Sequence, residues 1–368
     1  MAATTSPQTK LLGRNSPQSL LVVRLGAMGD VIHTLAAVAA LRRTLPDALI
    51  GWIIEERWAE LLCTLQTPRW GARSPGRPLV DRVHTTNIAA WRHALSSPRT
   101  WGQIAVSVSD LRGIQYDVAV DFQGAIRSAL IARLSQAPVL YGFGRPREKA
   151  ASMFYTRRAV AEGSHIIEQN LSLASAVAQS ALTVAPTDLP RDVRAEERVE
   201  NLLKQNNLAE YAIVNPGAGW GAKKWPPERY GEVARELAAR AGVRSLINFG
   251  PGEEKLARDT ESASGGAALS LSLTLTELIA ATRQARLFLG GDTGPMHLAA
   301  ALGVPVVGIF GPTDPVRNGP FHTAAIALRS PASPTTHSRR NRVDEAMLGI
   351  TVEDAVRAAT KLLEGHRG

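Results

Sequence analysis

Short apolar runs alternate with longer amphipathic segments along nearly the whole chain, and this alternation restricts the fold more than any other feature. Strand-length apolar runs that each lead into a helical pattern are typical of parallel sheets joined by right-handed crossovers. The runs form two series, divided by the proline-containing stretch 183–190. We therefore predict an α/β protein with two Rossmann-like domains facing a common cleft. The predicted strands are 19–24, 49–54, 117–122 and 139–143, the last clear strand of its series, followed by 211–215, 244–249, 267–271, 286–289 and 304–310; predicted helices include 31–44, 125–134, 227–241, 274–285 and 351–363.

Length and composition are consistent with two ordinary hydrophobic cores. The chain has 368 residues, of which 45% are hydrophobic and 20% charged, and a domain commonly holds about 150 residues. We place the domains at 19–185 and 190–348, with 351–363 as a C-terminal helix. Residues 1–18 are rich in Thr, Ser, Pro and Gln and lack the apolar core of a signal peptide, so they are predicted to form a flexible leader.

Cysteine content and hydropathy both indicate a cytoplasmic protein. Cys63 is the only cysteine, which excludes a disulfide within the chain and suits a reducing compartment. The longest apolar run, 298–311, is interrupted by Gly303, Pro305 and Gly308, whereas a membrane span needs about 20 apolar residues. No membrane-spanning segment is predicted.

The positive charge of the chain, formally +9, is concentrated in one stretch. Between residues 66 and 112 there are seven arginines against two aspartates, and Trp70, Trp91 and Trp101 lie among them. Interleaved Arg and Trp suit an interface that is apolar on one side and anionic on the other. A solvated surface with ordinary packing tryptophans fits the composition equally well. Within this stretch, residues 66–80 contain several prolines and glycines and are predicted to form an inserted loop.

The first loop whose residues could take part in catalysis or binding is RLGAMGDVIHT at 24–34. Its glycines allow a tight turn, and Asp30 falls at the N-cap or in the first turn of the following helix. An aspartate is favoured there simply as a cap; the functional alternative is a carboxylate that faces the cleft. The dinucleotide pattern G-x-G-x-x-G is not matched, because Met28 and Val31 occupy two of its small-residue positions. NAD binding is therefore the weaker interpretation, although Glu55 and Glu56 follow the second strand, where a ribose-binding acid could lie.

The second loop is NPGAGWGAKKWP at 215–226, between a predicted strand and a predicted helix. Its three glycines let backbone N–H groups approach an anion closely. Lys223, Lys224 and the helix N-terminus near Pro226 add positive potential. The segment cannot be written as a P-loop, so we predict a phosphate-binding loop of another type.

Two further loops follow predicted strands of the second series. Glu253 and Glu254 lie where a carboxylate can bind ribose hydroxyls, or where it merely complements a helix dipole. The segment GGDTGPMH at 290–297 opens a helix, so Asp292, Thr293, Gly294 and the backbone N–H groups are expected to face one point, with His297 one turn further on the same side.

No metal site and no cofactor are predicted. The chain contains no D-x-D and no pair of histidines spaced to hold a metal on one helix face. The charge of a leaving diphosphate would then be met by Lys223, with Lys224 as a second candidate, and by helix N-termini.

These four loops, in this order, resemble those of the ADP-heptose:lipopolysaccharide heptosyltransferases, a family of inverting glycosyltransferases with the glycosyltransferase-B fold. The most specific segments are VVRLGAMGDVIHTLAAVAAL and GDTGPMHLAAALGVPVVGIFGPTDP. Smaller matches are DFQGAIRS at 121–128, similar to the family's D-x-Q-G-x-x-[KR]-S, and REKAASMFY at 147–155, similar to R-E-P-L-A-S-x-F-Y of the heptosyltransferase I branch. The resemblance covers about residues 19–320.

By position, the resemblance implies a role for individual residues. The catalytic base falls on Asp30, the diphosphate-binding lysine on Lys223, and the ribose-binding acid on Glu253 with Glu254 as its neighbour. The donor loop falls on Asp292, Thr293, Gly294 and His297. Acceptor contacts, including those to Kdo carboxylates, fall on Gly29, Arg92, Gln123 and Arg147. The chain departs from the family at Lys149, which replaces the usual proline, at the residues around Trp91, and at the insertion 66–78.

The resemblance implies heptose transfer from ADP-heptose to an anionic, lipid-linked Kdo acceptor. We also predict a metal-independent monomer in contact with the cytoplasmic face of the inner membrane, with no nucleic-acid partner. Two alternatives stay open: a nucleotide-sugar epimerase of similar two-domain build, and a non-catalytic module that binds through the basic Arg/Trp surface.

Overall fold

A computed structural model describes residues 17–335 and 345–365. All but the last two residues of the predicted leader 1–18 lie outside this range. The described chain contains two six-stranded sheets, both entirely parallel. No helix within residues 17–335 and 345–365 is long and apolar enough to cross a membrane.

The first sheet has the strand order β3-β2-β1-β4-β5-β6. Its central strands are apolar and fully buried, as expected for a parallel sheet covered on both faces. The strands are β1 (Ser19–Val23), β2 (Leu49–Glu55), β3 (Arg82–Thr86), β4 (Val118–Asp121), β5 (Val139–Phe143) and β6 (Arg157–Ala159); the helices are α1 (Met28–Thr44), α2 (Ile88–Trp91), α3 (Pro98–Arg112), α4 (Ile126–Leu134) and α5 (Ile166–Ala178).

The second sheet has the order β12-β11-β10-β7-β8-β9, which repeats the arrangement of the first. The connection between the sheets contains α6 (Val193–Gln205). The strands are β7 (Tyr211–Asn215), β8 (Arg244–Asn248), β9 (Ala268–Leu271), β10 (Leu287–Gly291), β11 (Val306–Phe310) and β12 (Ala325–Arg329); the helices are α7 (Pro227–Ala241), α8 (Glu254–Ala263), α9 (Leu275–Gln284), α10 (Gly294–Ala301), α11 (Pro315–Asn318), α12 (Glu345–Leu348) and α13 (Val352–Gly365).

The predicted α/β class with two Rossmann-like sheets is confirmed, and the predicted helix 227–241 has the observed bounds. The prediction that 139–143 is the last strand of its series is wrong, since β6 follows it. β3 and β12 were also not predicted. Residues 66–80 contain neither helix nor strand, only two isolated bridges.

Helix α1 is the central helix of the molecule. Its residues 31–42 are all buried, because the helix packs on the first sheet, on α5 and on α10 of the second half. A helix with apolar residues on all sides is expected to be enclosed, and the segment VIHTLAAVAAL has this composition. The start of α1 is thereby fixed at the junction of the two halves.

The strand order of each sheet defines where ligands bind. In the order 3-2-1-4-5-6 the direction in which successive strands are added to the sheet changes between strands 1 and 4, and ligands lie beyond the carboxyl ends of those two strands. In the first half these ends carry Asp30 and Asp121–Gln123; in the second half they carry the loop after Asn215 and the loop at Asp292. Three of the four predicted functional loops thus lie at the two switch points, and the fourth, at Glu253, follows β8.

Candidate active site

The carboxylate of Asp30 is held by a buried arginine. Asp30 lies in the first turn of α1, as predicted, and its Oδ1 is 2.7 Å from Nη2 of Arg24. Arg24 is 7% exposed and also donates from Nη1 to the carbonyl of Phe122 at 2.5 Å. The Asp30 side chain remains 41% exposed. This carboxylate is therefore fixed in position yet accessible to a ligand.

The start of α1 touches the donor loop of the second half. A Cβ added to Gly29 would lie 2.6 Å from Cδ2 of His297, and one added to Gly294 would lie 2.5 Å from Sδ of Met28. Such distances are too short for real side chains, so both positions require glycine for α1 and α10 to approach this closely. The contact packs the first turn of α1, which carries Asp30, against the donor loop.

The predicted lysine and the predicted donor-loop aspartate form a buried ion pair. Nζ of Lys223 is 2.6 Å from Oδ2 of Asp292 and 3.1 Å from its carbonyl oxygen. Nε2 of His297 lies 3.1 Å from Oδ1 of the same carboxylate. Burial alone would raise the pKa of Asp292, but the hydrogen bond from His297 and the charge of Lys223 hold it well below its usual range. Asp292 is thus an anion that orients two donors.

The neighbouring Lys224 is exposed. The tryptophan after it is anchored: Trp225 is buried and donates from Nε1 to the carbonyl of Ile350 at 3.1 Å. This anchor fixes the end of the loop and directs Lys223, not Lys224, toward Asp292.

Glu253 lies beside the glycine-rich loop, whereas Glu254 points away from it. The Glu253 carboxylate accepts from the N–H of Gly250 at 2.8 Å, and it touches the position that a Cβ of Gly217 would occupy. Glu254 is exposed and accepts from Gly252 at 3.1 Å. Of the two predicted ribose acids, Glu253 is the one that adjoins the loop carrying Lys223. In the donor loop itself, Thr293 donates a hydrogen bond from Oγ1 to the carbonyl of Gly291 at 3.3 Å.

Gln123 connects the Asp30 loop to the segment of Arg147. Its Oε1 accepts from the N–H of Leu25 at 3.0 Å. The next residue, Gly124, is in close contact with the backbone of Arg147, whose side chain is exposed. Arg92 is likewise exposed, at the end of α2 on the opposite flank of the sheet. The structure therefore brings Gln123 to the loop directly and places the two arginines on either side of it.

The motif around Asp121 has a structural basis. Asp121 is fully buried and accepts from the N–H groups of Gln123 and Gly124, from Oγ of Ser128 and from the hydroxyl of Tyr155, at 2.8–3.1 Å. Burial raises the pKa of Asp121, and the four hydrogen bonds offset only part of that rise. The aspartate thus organises the loop that holds Gln123.

Several charges of the basic stretch are neutralised or buried. Arg69 pairs with Glu56 and Arg82 with Asp110, while Arg77 is 1% exposed and bonds to carbonyls of the inserted loop. The seven arginines therefore present less free charge than the sequence indicates. Two of the three tryptophans of this stretch are exposed, however: Trp70 is 67% and Trp101 58% accessible.

Two residues near the site were not singled out from the sequence. Arg24 and His33 flank Asp30 in the same loop and helix, and His33 Nε2 is 3.0 Å from Nδ1 of His297. For Arg24 the sequence does contain a signal, because a charged residue that directly follows a buried apolar strand is a candidate site residue. Within residues 17–335 and 345–365, no three His, Cys, Asp or Glu side chains are grouped so as to hold a metal ion.

The fold and site define a two-domain transferase of the glycosyltransferase-B type. Residues 107–347 match the family described as glycosyltransferase family 9 (heptosyltransferase), and the chain belongs to this family. It is 30% identical over 314 residues to lipopolysaccharide heptosyltransferase 1 of Pseudomonas aeruginosa, covering 84% of this chain and 83% of the relative.

Solved structures of this family have the same fold. The E. coli heptosyltransferase WaaC with ADP superposes with a TM-score of 0.75 at 25% identity, covering 94% of this chain and 99% of WaaC. WaaC with ADP-2-deoxy-2-fluoro heptose gives a TM-score of 0.71 at the same identity and coverage. The predicted family and the glycosyltransferase-B fold are confirmed.

Proposed function

We propose that this protein transfers heptose from ADP-heptose to a lipid-linked Kdo acceptor of the lipopolysaccharide inner core, with inversion at the anomeric carbon. The family, and the names of its relatives, support the donor and the sugar. The observation that carries the proposal is the contact of Gly29 with His297, because Gly29 is the neighbour of Asp30 and His297 belongs to the donor loop.

Asp30 is the general base of the proposed reaction. Its carboxylate removes the proton from the acceptor hydroxyl as the oxygen attacks the anomeric carbon from the face opposite the diphosphate. The new C–O bond forms, the bond from the anomeric carbon to the phosphate oxygen breaks through an oxocarbenium-like state, and ADP departs with the electron pair. The ion pair with Arg24 holds this carboxylate in place.

Lys223 and the N-terminus of α10 receive the departing diphosphate. An ammonium group has three N–H donors, and in the structure Lys223 directs Nζ at two acceptors of Asp292. One donor remains for the phosphate, and the helix dipole adds positive potential at the same point. Fixed donors of this kind stabilise charge as it develops. The Glu253 carboxylate would accept hydrogen bonds from the ribose hydroxyls.

The acceptor would lie across the carboxyl edge of the first sheet. Arg92 and Arg147 flank the Asp30 loop and are exposed, which suits them to Kdo carboxylates. Exposed Trp70 and Trp101 lie in the same arginine-rich stretch as Arg92, and the mixture of rings and cations suits an anionic lipid surface. We propose that this surface docks on the cytoplasmic face of the inner membrane.

The test is a transfer assay with purified protein, ADP-heptose and a lipid-linked Kdo acceptor in excess EDTA. Mass spectrometry should detect heptosylated acceptor and one equivalent of ADP. NMR of the product should show that the anomeric configuration is inverted relative to the donor. Donor consumption that yields an epimer without acceptor would support an epimerase instead. Activity that is lost in EDTA and restored by Mg²⁺ or Mn²⁺ would contradict the metal-independent mechanism.

A further inference from the structure

A row of four buried polar side chains crosses the junction of the two halves. It runs from Lys223 to Asp292, to His297 and to His33, with successive atom separations of 2.6, 3.1 and 3.0 Å. All four residues are less than a tenth exposed. The first three belong to the donor half, but His33 belongs to α1 of the other half. The donor-binding lysine is thus connected to a residue outside its own domain.

The protons of this row can be assigned from its partners. Asp292 is an anion and only accepts, so Nε2 of His297 carries a proton. Nδ1 of His33 is buried and has no hydrogen-bond partner among the residues that the structure describes. A proton on that nitrogen would be a buried donor without an acceptor, which is costly. The proton of His33 therefore lies on Nε2 and is donated to Nδ1 of His297.

We propose that His33 is a positioning residue for the donor site: it fixes the tautomer and ring orientation of His297, and through them the alignment of Asp292 and Lys223. The proposal rests on the proposed function, in which Lys223 meets the diphosphate. Asp30 and His33 lie three residues apart on α1. One helix therefore positions both the base and, through the row, the lysine that receives the leaving group.

Two substitutions separate this role from simple packing. In His33→Gln the side-chain amide reaches the place of Nε2 and can donate to His297. In His33→Asn the amide reaches only the place of Nδ1, which has no partner. Both variants are polar and uncharged, so the difference between them reports the donated hydrogen bond. His84→Gln, at a buried histidine bonded to Tyr116 at 2.8 Å, controls for the general cost of replacing such a residue.

The experiment combines ¹⁵N NMR of labelled histidines with calorimetric titration of ADP, after melting curves have shown that each variant folds. In the parent, His297 is expected to show a protonated Nε2 and an unprotonated Nδ1. His33→Asn should disturb this pattern and weaken ADP binding roughly tenfold, the usual effect of one lost buried hydrogen bond. His33→Gln should restore the pattern and bring affinity back to within about threefold of the parent.

Equal behaviour of the Gln and Asn variants in both measurements would overturn the inference, whether both resemble the parent or both lose affinity. If the parent itself fails to bind ADP, the proposed donor is wrong. The ¹⁵N pattern of His297 in the two variants then still decides whether His33 fixes its tautomer.

Discussion

Nζ of Lys223 and Oδ2 of Asp292 are 2.6 Å apart and buried, although the residues are separated by 69 positions in the chain. The pair joins the loop after β7 to the loop after β10, the two neighbouring strands at which the order of strand addition in the second sheet changes direction. Lys223→Ala should therefore weaken ADP binding about 10- to 100-fold, because it removes a charge-assisted contact and leaves Asp292 without its cation. Lys224→Ala, at the exposed neighbour, is the matched control in the same titration. A larger loss in Lys224→Ala would show that the wrong lysine has been assigned.

Asp30→Asn should leave ADP binding nearly unchanged and reduce transfer by roughly 10²–10⁴, the usual contribution of a general base. The amide oxygen can still accept from Arg24, so the fold should be retained, but the amide cannot take a proton. Transfer rate, ADP affinity and melting temperature are measured on one preparation. Glu210→Gln, which removes an exposed carboxylate paired with Arg286 at 2.7 Å, should show the parent rate. Retention of more than about a tenth of the rate in Asp30→Asn would place the base elsewhere.

Gly29→Ala should destabilise the protein by about 1–3 kcal/mol, as over-packing of a filled site does. The new methyl group would meet the ring of His297, which is held by Asp292 and His33. Gly102→Ala is the control, since Gly102 lies in α3 with no atom within 4 Å of an added Cβ. That change should stabilise by roughly 0.5–1 kcal/mol through helix propensity. Chemical denaturation measures both, and equal effects would contradict the close approach of α1 and α10.

Stability should fall as the pH drops below about 6.5. Burial lowers the pKa of His33, His84 and His165 in the folded protein. Below their unfolded pKa the unfolded chain binds protons that the folded chain cannot, so acid favours unfolding, by up to about 1.4 kcal/mol per pH unit for each such group. Melting temperatures at pH 7.5, 6.5 and 5.5 test this, with a shallower decline expected for His84→Gln. A melting temperature that rises toward pH 5.5 would be the contrary result.

Arg147→Gln should weaken binding to vesicles that carry a Kdo-containing anionic lipid, and should reduce the dependence of binding on salt. Exposed charges are screened beyond about 8–10 Å at physiological ionic strength, so parent binding should itself decline as salt rises. Arg194→Gln, at an exposed arginine of α6, is the control and should bind as the parent does. Equal parent affinity for neutral and anionic vesicles would refute the proposed acceptor surface.

The sequence indicates the central strands of both sheets but not their edges. Strands such as β1 and β7 are continuous buried apolar runs, so their signal survives without any tertiary information. β3 contains two polar residues, Arg82, which pairs with Asp110, and His84, which bonds to Tyr116, and β12 is half-exposed. β6 has three residues, two of them exposed arginines. Edge strands of this kind carry no clear periodicity.

The candidate site, like the sheets, could be predicted from the sequence only in part. Loops that follow buried strands could be located from the sequence, and so could the order in which they occur. The pairing of Lys223 with Asp292, of Arg24 with Asp30 and of His33 with His297 could not, because each pair depends on the packing of helices and loops. The family resemblance named Lys223, Asp292, Asp30 and His297, but it named neither Arg24 nor His33 and gave none of the three pairings.

The contacts of Gly29 and Gly294 set the closest approach of α1 and α10. Because both residues already lack a side chain, the two helices cannot move closer at that point. Any closure of the two halves cannot compress this contact and would have to rotate or slide about it. Such a motion would keep the first turn of α1 beside the donor loop, while the parts of the two halves further from the contact would move more.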